Sequence, residues 1–139
     1  MKSVLGIAAK RVILAQDLNT VSVVDVLDDL SLGSRSELPP SDGSVAIHID
    51  CQFLGVFELT DPKEQAESPL SGTFWIDTPT GRRMETEVVI DFSNATRYRA
   101  IVKVFEMIYD GPGTYTFNIK CRGELVSWRT TVSEARAED

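Results

Sequence analysis

This sequence predicts an all-β protein, an antiparallel β-sandwich of seven to eight strands, and three observations carry the prediction. Turn signals built from Gly, Pro, Asn and Asp recur every ten to fifteen residues, with β-branched residues dominant between them. One stretch alternates strictly, with Tyr115, Phe117, Ile119 and Cys121 on one side and Thr116, Asn118 and Lys120 on the other. That is the mark of a strand with one face in a core and one in water. A length of 139 residues, 42% apolar and 25% charged, suits one globular domain, and a chain of this size buries about 68% of its unfolded surface.

The first strand is expected over Val4–Ala15 and the second over Thr20–Leu27, joined at Asp17-Leu18-Asn19, where Asn tolerates a left-handed turn. A break from Gly33 to Gly43 holds Pro39-Pro40 and Asp42-Gly43 and reads as a loop. The third strand, Ser44–Phe57, sets Val45, Ile47, Ile49, Cys51 and Phe53 inward against Ala46, His48, Asp50 and Gln52. Asp61 then offers a cap, Pro62 the first helical position and Glu64 the second half of a capping box, while Pro69 forbids continuation. One short helical turn near 62–67 follows. Strands resume at Leu70–Asp77 and Arg82–Phe92, separated by Thr78-Pro79-Thr80-Gly81. The inner face of the latter reads Met84, Thr86, Val88, Ile90, Phe92. Over Tyr98–Ile108 the expected inner face is Ala100, Val102, Val104 and Ile108, with Glu106 a misfit. Thr114–Cys121 and Leu125–Val132 close the domain across Arg122-Gly123-Glu124, with Val126, Trp128 and Val132 sharing a face. The single domain spans 1–132, and the charged tail 133–139 is expected to fray.

The dense turn Asp110-Gly111-Pro112-Gly113 followed by Tyr115 resembles the tyrosine corner of immunoglobulin-like sandwiches, whose phenol bonds back to upstream backbone. The resemblance implies an immunoglobulin-like sandwich. The position two after that Tyr is Phe117, not the Cys of antibody domains, and the two cysteines, Cys51 and Cys121, are 70 positions apart. Both fall on inner faces, so free buried thiols acting as small hydrophobes are expected.

Charge narrows the partners. Residues 1–94 carry 15 acids against 7 bases and 95–139 carry 6 against 7. The chain is acidic, with formal net charge −7. Duplex DNA and anionic membranes demand clustered cations, so nucleic acid and membrane are not expected partners. No apolar run approaches the 18 or so residues of a membrane span. The run Val4 to Ala9 behind Lys2 is six residues, short of a secretory signal. A cytoplasmic location is the expectation.

Chemistry finds no foothold. His48 is the single histidine, and Asp50 two residues on lies about 7 Å away along a strand, long for a triad's orienting bond. One His and two distant Cys cannot make a zinc tetrad. Asp25, Asp28 and Asp29 lack the curled loop that calcium needs. No nucleophile elbow, phosphate loop or dinucleotide fingerprint occurs. No catalytic residue, metal ligand or cofactor is predicted.

Three segments carry a further resemblance. Arg11–Asp28, then Val89–Ser93 with Arg97–Val102, then Pro112–Phe117 with Trp128, resemble the opening hairpin, central strands and closing hairpin of a family of small uncharacterised bacterial proteins, a domain of unknown function. The resemblance spans about 11–132 and implies a β-sandwich, with no functional residue to transfer.

The function expected is a non-enzymatic cytoplasmic protein-interaction module. Two sets of residues are its candidates. Ile101, Phe105 and Met107 put apolar groups on the nominally outer face of their strand, a patch suited to a homodimer. A loop over the strand, or a bulge near Glu106 that switches its faces, competes with that reading. Glu58, Asp61, Glu64 and Glu67 make the densest acidic patch, with Lys63 alone among them, as an acidic decoy of a basic site requires. The remaining alternative is a carbohydrate-binding protein or hydrolase using loop carboxylates and an aromatic such as Trp75.

Overall fold

A computed structural model describes residues 1–15, 20–34 and 45–135. Among these residues nine strands and one helix follow in order: β1 (Lys2–Ala15), β2 (Thr20–Val26), β3 (Asp29–Ser34), β4 (Val45–Glu58), α1 (Pro62–Ala66), β5 (Leu70–Asp77), β6 (Arg83–Ile90), β7 (Arg97–Tyr109), β8 (Gly113–Cys121) and β9 (Glu124–Ala135). They form two sheets, ordered β2-β1-β4-β7 and β3-β9-β8-β5-β6. Every pairing is antiparallel except β3 with β9. The sandwich expected from sequence is present, with β3 as an additional strand. The turn at Asp17–Asn19 and most of the 33–43 break lie outside the described residues. The last strand runs past Val132 to Ala135, with Ser133 opposite Ser31 and Glu134 opposite Leu32, so the tail does not begin at 133.

Alternation explains the core. On β4, Cys51, Phe53 and Phe57 point inward at no more than 3% exposure, facing Phe117 and Ile119 of β8. Phe53, Phe74 and Phe117 gather with ring centroids 5.8 to 6.5 Å apart. Such tilted and offset aromatic packing fills volume that aliphatic side chains would leave open. The sheets come closest at two glycines. A Cβ on Gly55 would lie 2.8 Å from Ile119 Cδ1, and one on Gly6 would lie 3.1 Å from the Ser127 backbone nitrogen.

One expected face is corrected. The β4–β7 register slips by a residue between His48 and Cys51. Ahead of the slip β7 turns even-numbered residues inward, with Ala100 and Val104 at 5% exposure. Beyond it the odd-numbered Met107 and Tyr109 are buried instead. Phe105 and Glu106 both face out at the switch. A bulge inserts one unpaired residue and so exchanges the faces of everything beyond it. Met107 is therefore core, Ile108 is only half-buried, and Glu106 is no misfit.

The turns obey local chemistry. Arg122 and Gly123 take φ of 49° and 83°, the two left-handed positions of a type I′ hairpin between Cys121 and Glu124. In α1, Asp61 accepts from the Lys63 amide, Glu64 returns to the Asp61 amide and Pro62 opens the helix, the expected capping box. The corner is also as expected. Tyr115 Oη donates to the Gly111 carbonyl at 2.7 Å and accepts from the Asp110 amide at 2.7 Å, on a fully buried side chain. Burial pushes its phenol pKa up, so the group stays a neutral donor. Tyr115→Phe strands both backbone groups and is expected to cost about 1–3 kcal/mol, read as a lower denaturation midpoint with unchanged m.

Candidate functional site

Sheet edges position the site. β7 ends one sheet and β6 ends the other, and the two lie on the same side of the sandwich. The inner face of β6 fades along its length. Ile90 and the following Phe92 are fully buried, Val88 is half-buried, and Thr86 and Met84 are exposed, Met84 at 49%. The edges therefore meet at the Ile90 end and part toward Met84. Between them opens a cleft of about 570 Å³.

Its walls are apolar: Phe74, Ile76 and Met84 from one sheet, Val102, Val104 and Met107 from the other. Polar groups stand at the lip. His48 and Glu106, opposite each other in the β4–β7 register beside the bulge, both line it, as do Lys103 and Thr86. An apolar recess of this size with a few polar groups around it is the usual form of a binding site. Neither edge strand has a second pairing partner among the described residues, so backbone donors and acceptors border the recess on two sides.

The three apolar candidates part company. Phe105 is 57% exposed and stands at the cleft lip. Met107 is 1% exposed and belongs to the cleft wall and core, so it leaves the proposed surface patch. Ile101 is half-covered within a second cluster formed with Val12, Leu54 and Val56. No contiguous outer stripe joins these three.

The acidic candidates are each engaged. Glu58 lies 4.0 Å from Arg97, and Glu67 lies 2.5 Å from Arg122. Asp61 caps α1. Glu64 is 7% exposed and takes the N-terminal ammonium of Met1 at 2.5 Å, while that ammonium also donates to Thr60 Oγ1. Much of the segment's negative charge is thus met within the fold.

Other chemistry-bearing residues are dispersed. His48 and Asp50 are exposed. Trp75 is 9% exposed, donates to Asp77 at 3.0 Å and is covered by the Arg83 guanidinium 4.6 Å from its centroid. Cys51 and Cys121 are free and buried. Burial, with Asp50 adding to it, pushes the Cys51 thiol up to about 12, and burial raises Cys121 too. Neither is a thiolate nucleophile at neutral pH. Among the described residues no three His, Cys, Asp or Glu side chains gather as a metal-holding group, and no helix is long and apolar enough to cross a membrane. Sequence reading missed the cleft because β6 looked like a fully inward-facing strand. The weak apolar character of Thr86 beside an isolated Met84 was the available sign. Comparison with family models, with curated proteins and with solved structures finds no match.

Two outcomes follow from these placements. Met107→Ala is expected to cost about 2–5 kcal/mol as a core truncation, while Phe105→Glu stays within about 0.5 kcal/mol of wild type. Urea denaturation of both variants checks the face switch. For Glu64, burial pushes the carboxyl up, but bonds from the terminal ammonium and from the Asp61 and Thr60 amides outweigh it and hold it below the ordinary value of 4.5. A carboxylate with a lower pKa when folded stabilises above the unfolded value and loses that contribution as pH falls through the folded one. Glu64→Gln is accordingly expected to be less stable than wild type near neutrality, with the gap closing below pH 4.5. Denaturation midpoints across that range check the sign.

Proposed function

We propose that the chain is a non-enzymatic, cytoplasmic protein-interaction module of immunoglobulin-like type, akin to the small bacterial β-sandwich proteins it resembles. Its partner enters the β6–β7 cleft as an extended segment. The observation that supports this is the juxtaposition of an apolar recess with two unpaired sheet edges. An added strand pairs its backbone with an edge while alternate side chains fill the recess. Phe105 at the lip offers the entering strand an aromatic anchor. The free, buried thiols agree with a reducing compartment.

The rival readings have less beneath them. A carbohydrate site would need an open aromatic face, and Trp75 is covered by Arg83. An acidic decoy would need uncompensated carboxylates, and Glu58, Glu64 and Glu67 have cationic partners. The homodimer patch required Met107 at the surface.

Selection from a displayed library of random dodecapeptides tests the proposal. Enriched peptides are expected to alternate apolar and polar residues. Their binding should fall at least about tenfold with Thr86→Arg in the recess and with N-methylation of alternate peptide amides. Binders indifferent to both changes, or no enrichment at all, would discard the cleft as a peptide site.

A further inference from the structure

A second site lies on the outer face of the β2-β1-β4-β7 sheet, independent of the β6–β7 cleft. One patch of that face is apolar, although His48, Asp50 and Lys103 elsewhere on it are polar and exposed. Leu54 and Val56 of β4 are 2% and 5% exposed because Val12, Val21 and Val23 of the β1–β2 hairpin pack against them. The covering is incomplete. A cavity of about 270 Å³ remains among Ile7, Val21, Val23, Leu54 and Val56, and it ends at Arg97 and Arg99.

The same two arginines line a neighbouring polar cleft of about 760 Å³ with Gln65, Asn94, Thr96 and Glu58. Arg97 and Arg99 thus divide an apolar chamber from a polar one. Arg97 and Arg99 stand two residues apart on β7, in the half of the chain where bases outnumber acids by 7 to 6. Their guanidinium forks suit carboxylate or phosphate oxygens, and Asn94, Gln65 and Thr96 add neutral polar groups beside them.

We propose that this pair of chambers binds a free single-chain amphiphile with an anionic head. The tail enters beneath the hairpin and the head meets Arg97 and Arg99. The apolar chamber is a half-open groove of about 270 Å³, room for roughly nine water-sized units of about 30 Å³ each, so it seats an alkyl tail of about that many carbons. Glu58, 4.0 Å from Arg97 and half-exposed, is the opposing element: its charge repels the incoming anion.

Calorimetric titration of the intact chain with a series of n-alkyl carboxylates and phosphates tests this. One site per chain is expected, tightening about threefold to fourfold per methylene and levelling off near nine or ten carbons. Decyltrimethylammonium, with the same tail and opposite charge, should bind at least about tenfold more weakly than decanoate. Arg97→Gln or Arg99→Gln should weaken decanoate about tenfold. Glu58→Gln should tighten it about twofold to fivefold. Val21→Phe, which fills the chamber, should shorten the preferred tail. Equal binding of the cationic and anionic amphiphiles by the wild-type protein would overturn the proposal without any variant. So would a series with no levelling, or binding to anionic vesicles but not to monomeric decanoate. Thr86→Arg should leave the titration unchanged, which keeps the result separate from any peptide site in the β6–β7 cleft.

Discussion

The sandwich is organised by how closely its sheets approach at Gly6. A single added carbon there would press within 3.1 Å of the Ser127 backbone nitrogen, an atom with no rotamer to move aside. Gly55 makes the same demand against the Ile119 side chain. Phe53 packs at this close approach, its ring edge 3.0 Å from the carbon added at Gly6, and Phe74 and Phe117 gather against it. Face-to-face sheets ordinarily stand about 10 Å apart. The layers touch closely where β1 meets β9, and a cleft opens between β6 and β7.

A single set of polar bonds joins two turns of the sandwich. Asp110, just before β8, receives the hydroxyls of Thr78 and Thr80 from the β5–β6 turn, while its own amide donates to Tyr115. Thr78 in turn accepts from the Arg82 amide. One carboxylate therefore links the turn that launches β6 to the corner that launches β8. The turn that begins β6 is tied to the β7–β8 corner by these contacts, which are part-buried at Thr78 and exposed at Thr80.

Local rules were legible in the sequence and long-range ones were not. Pro62, Asp61 and Glu64 place a helix turn through bonds spanning three residues, so composition alone locates it. The inward side of the Tyr115 to Cys121 alternation is as expected because β8 is central and pairs on both sides, but the expected water face is only partly wet: Asn118 is 4% exposed and bonded to Asp77 and Ser127. β3 escaped notice because Asp29–Ser34 is short, and its ladder depends on a parallel neighbour about a hundred residues away. On β7 the sequence records the face switch at Glu106, the misfit beside which a bulge is one of the expected readings, but not its cause, because the extra residue sits on β4 between His48 and Cys51. The outer apolar cluster was similarly hidden: Leu54 and Val56 look like strand residues of the wrong parity until the β1–β2 hairpin is laid over them.

The parallel pairing of β3 with β9 joins an early stretch of the chain to a late one. Leu27 reinforces it, its carbonyl accepting from Trp128 Nε1 and Thr130 Oγ1, and the Asp28 carbonyl takes the Thr131 amide. β9 lies between β3 and β8, so β3 has no neighbour in its sheet until the segment through Ala135 is available. On the ribosome, β3 must wait unpaired while roughly a hundred further residues are made, which at about 5–20 residues per second is several seconds or more. During that interval Leu30 and Leu32, which pack on the finished core, have no sheet to join. Closure of this sheet therefore waits on β9, and the nascent chain is most exposed to misassociation in the interval before β9 is made.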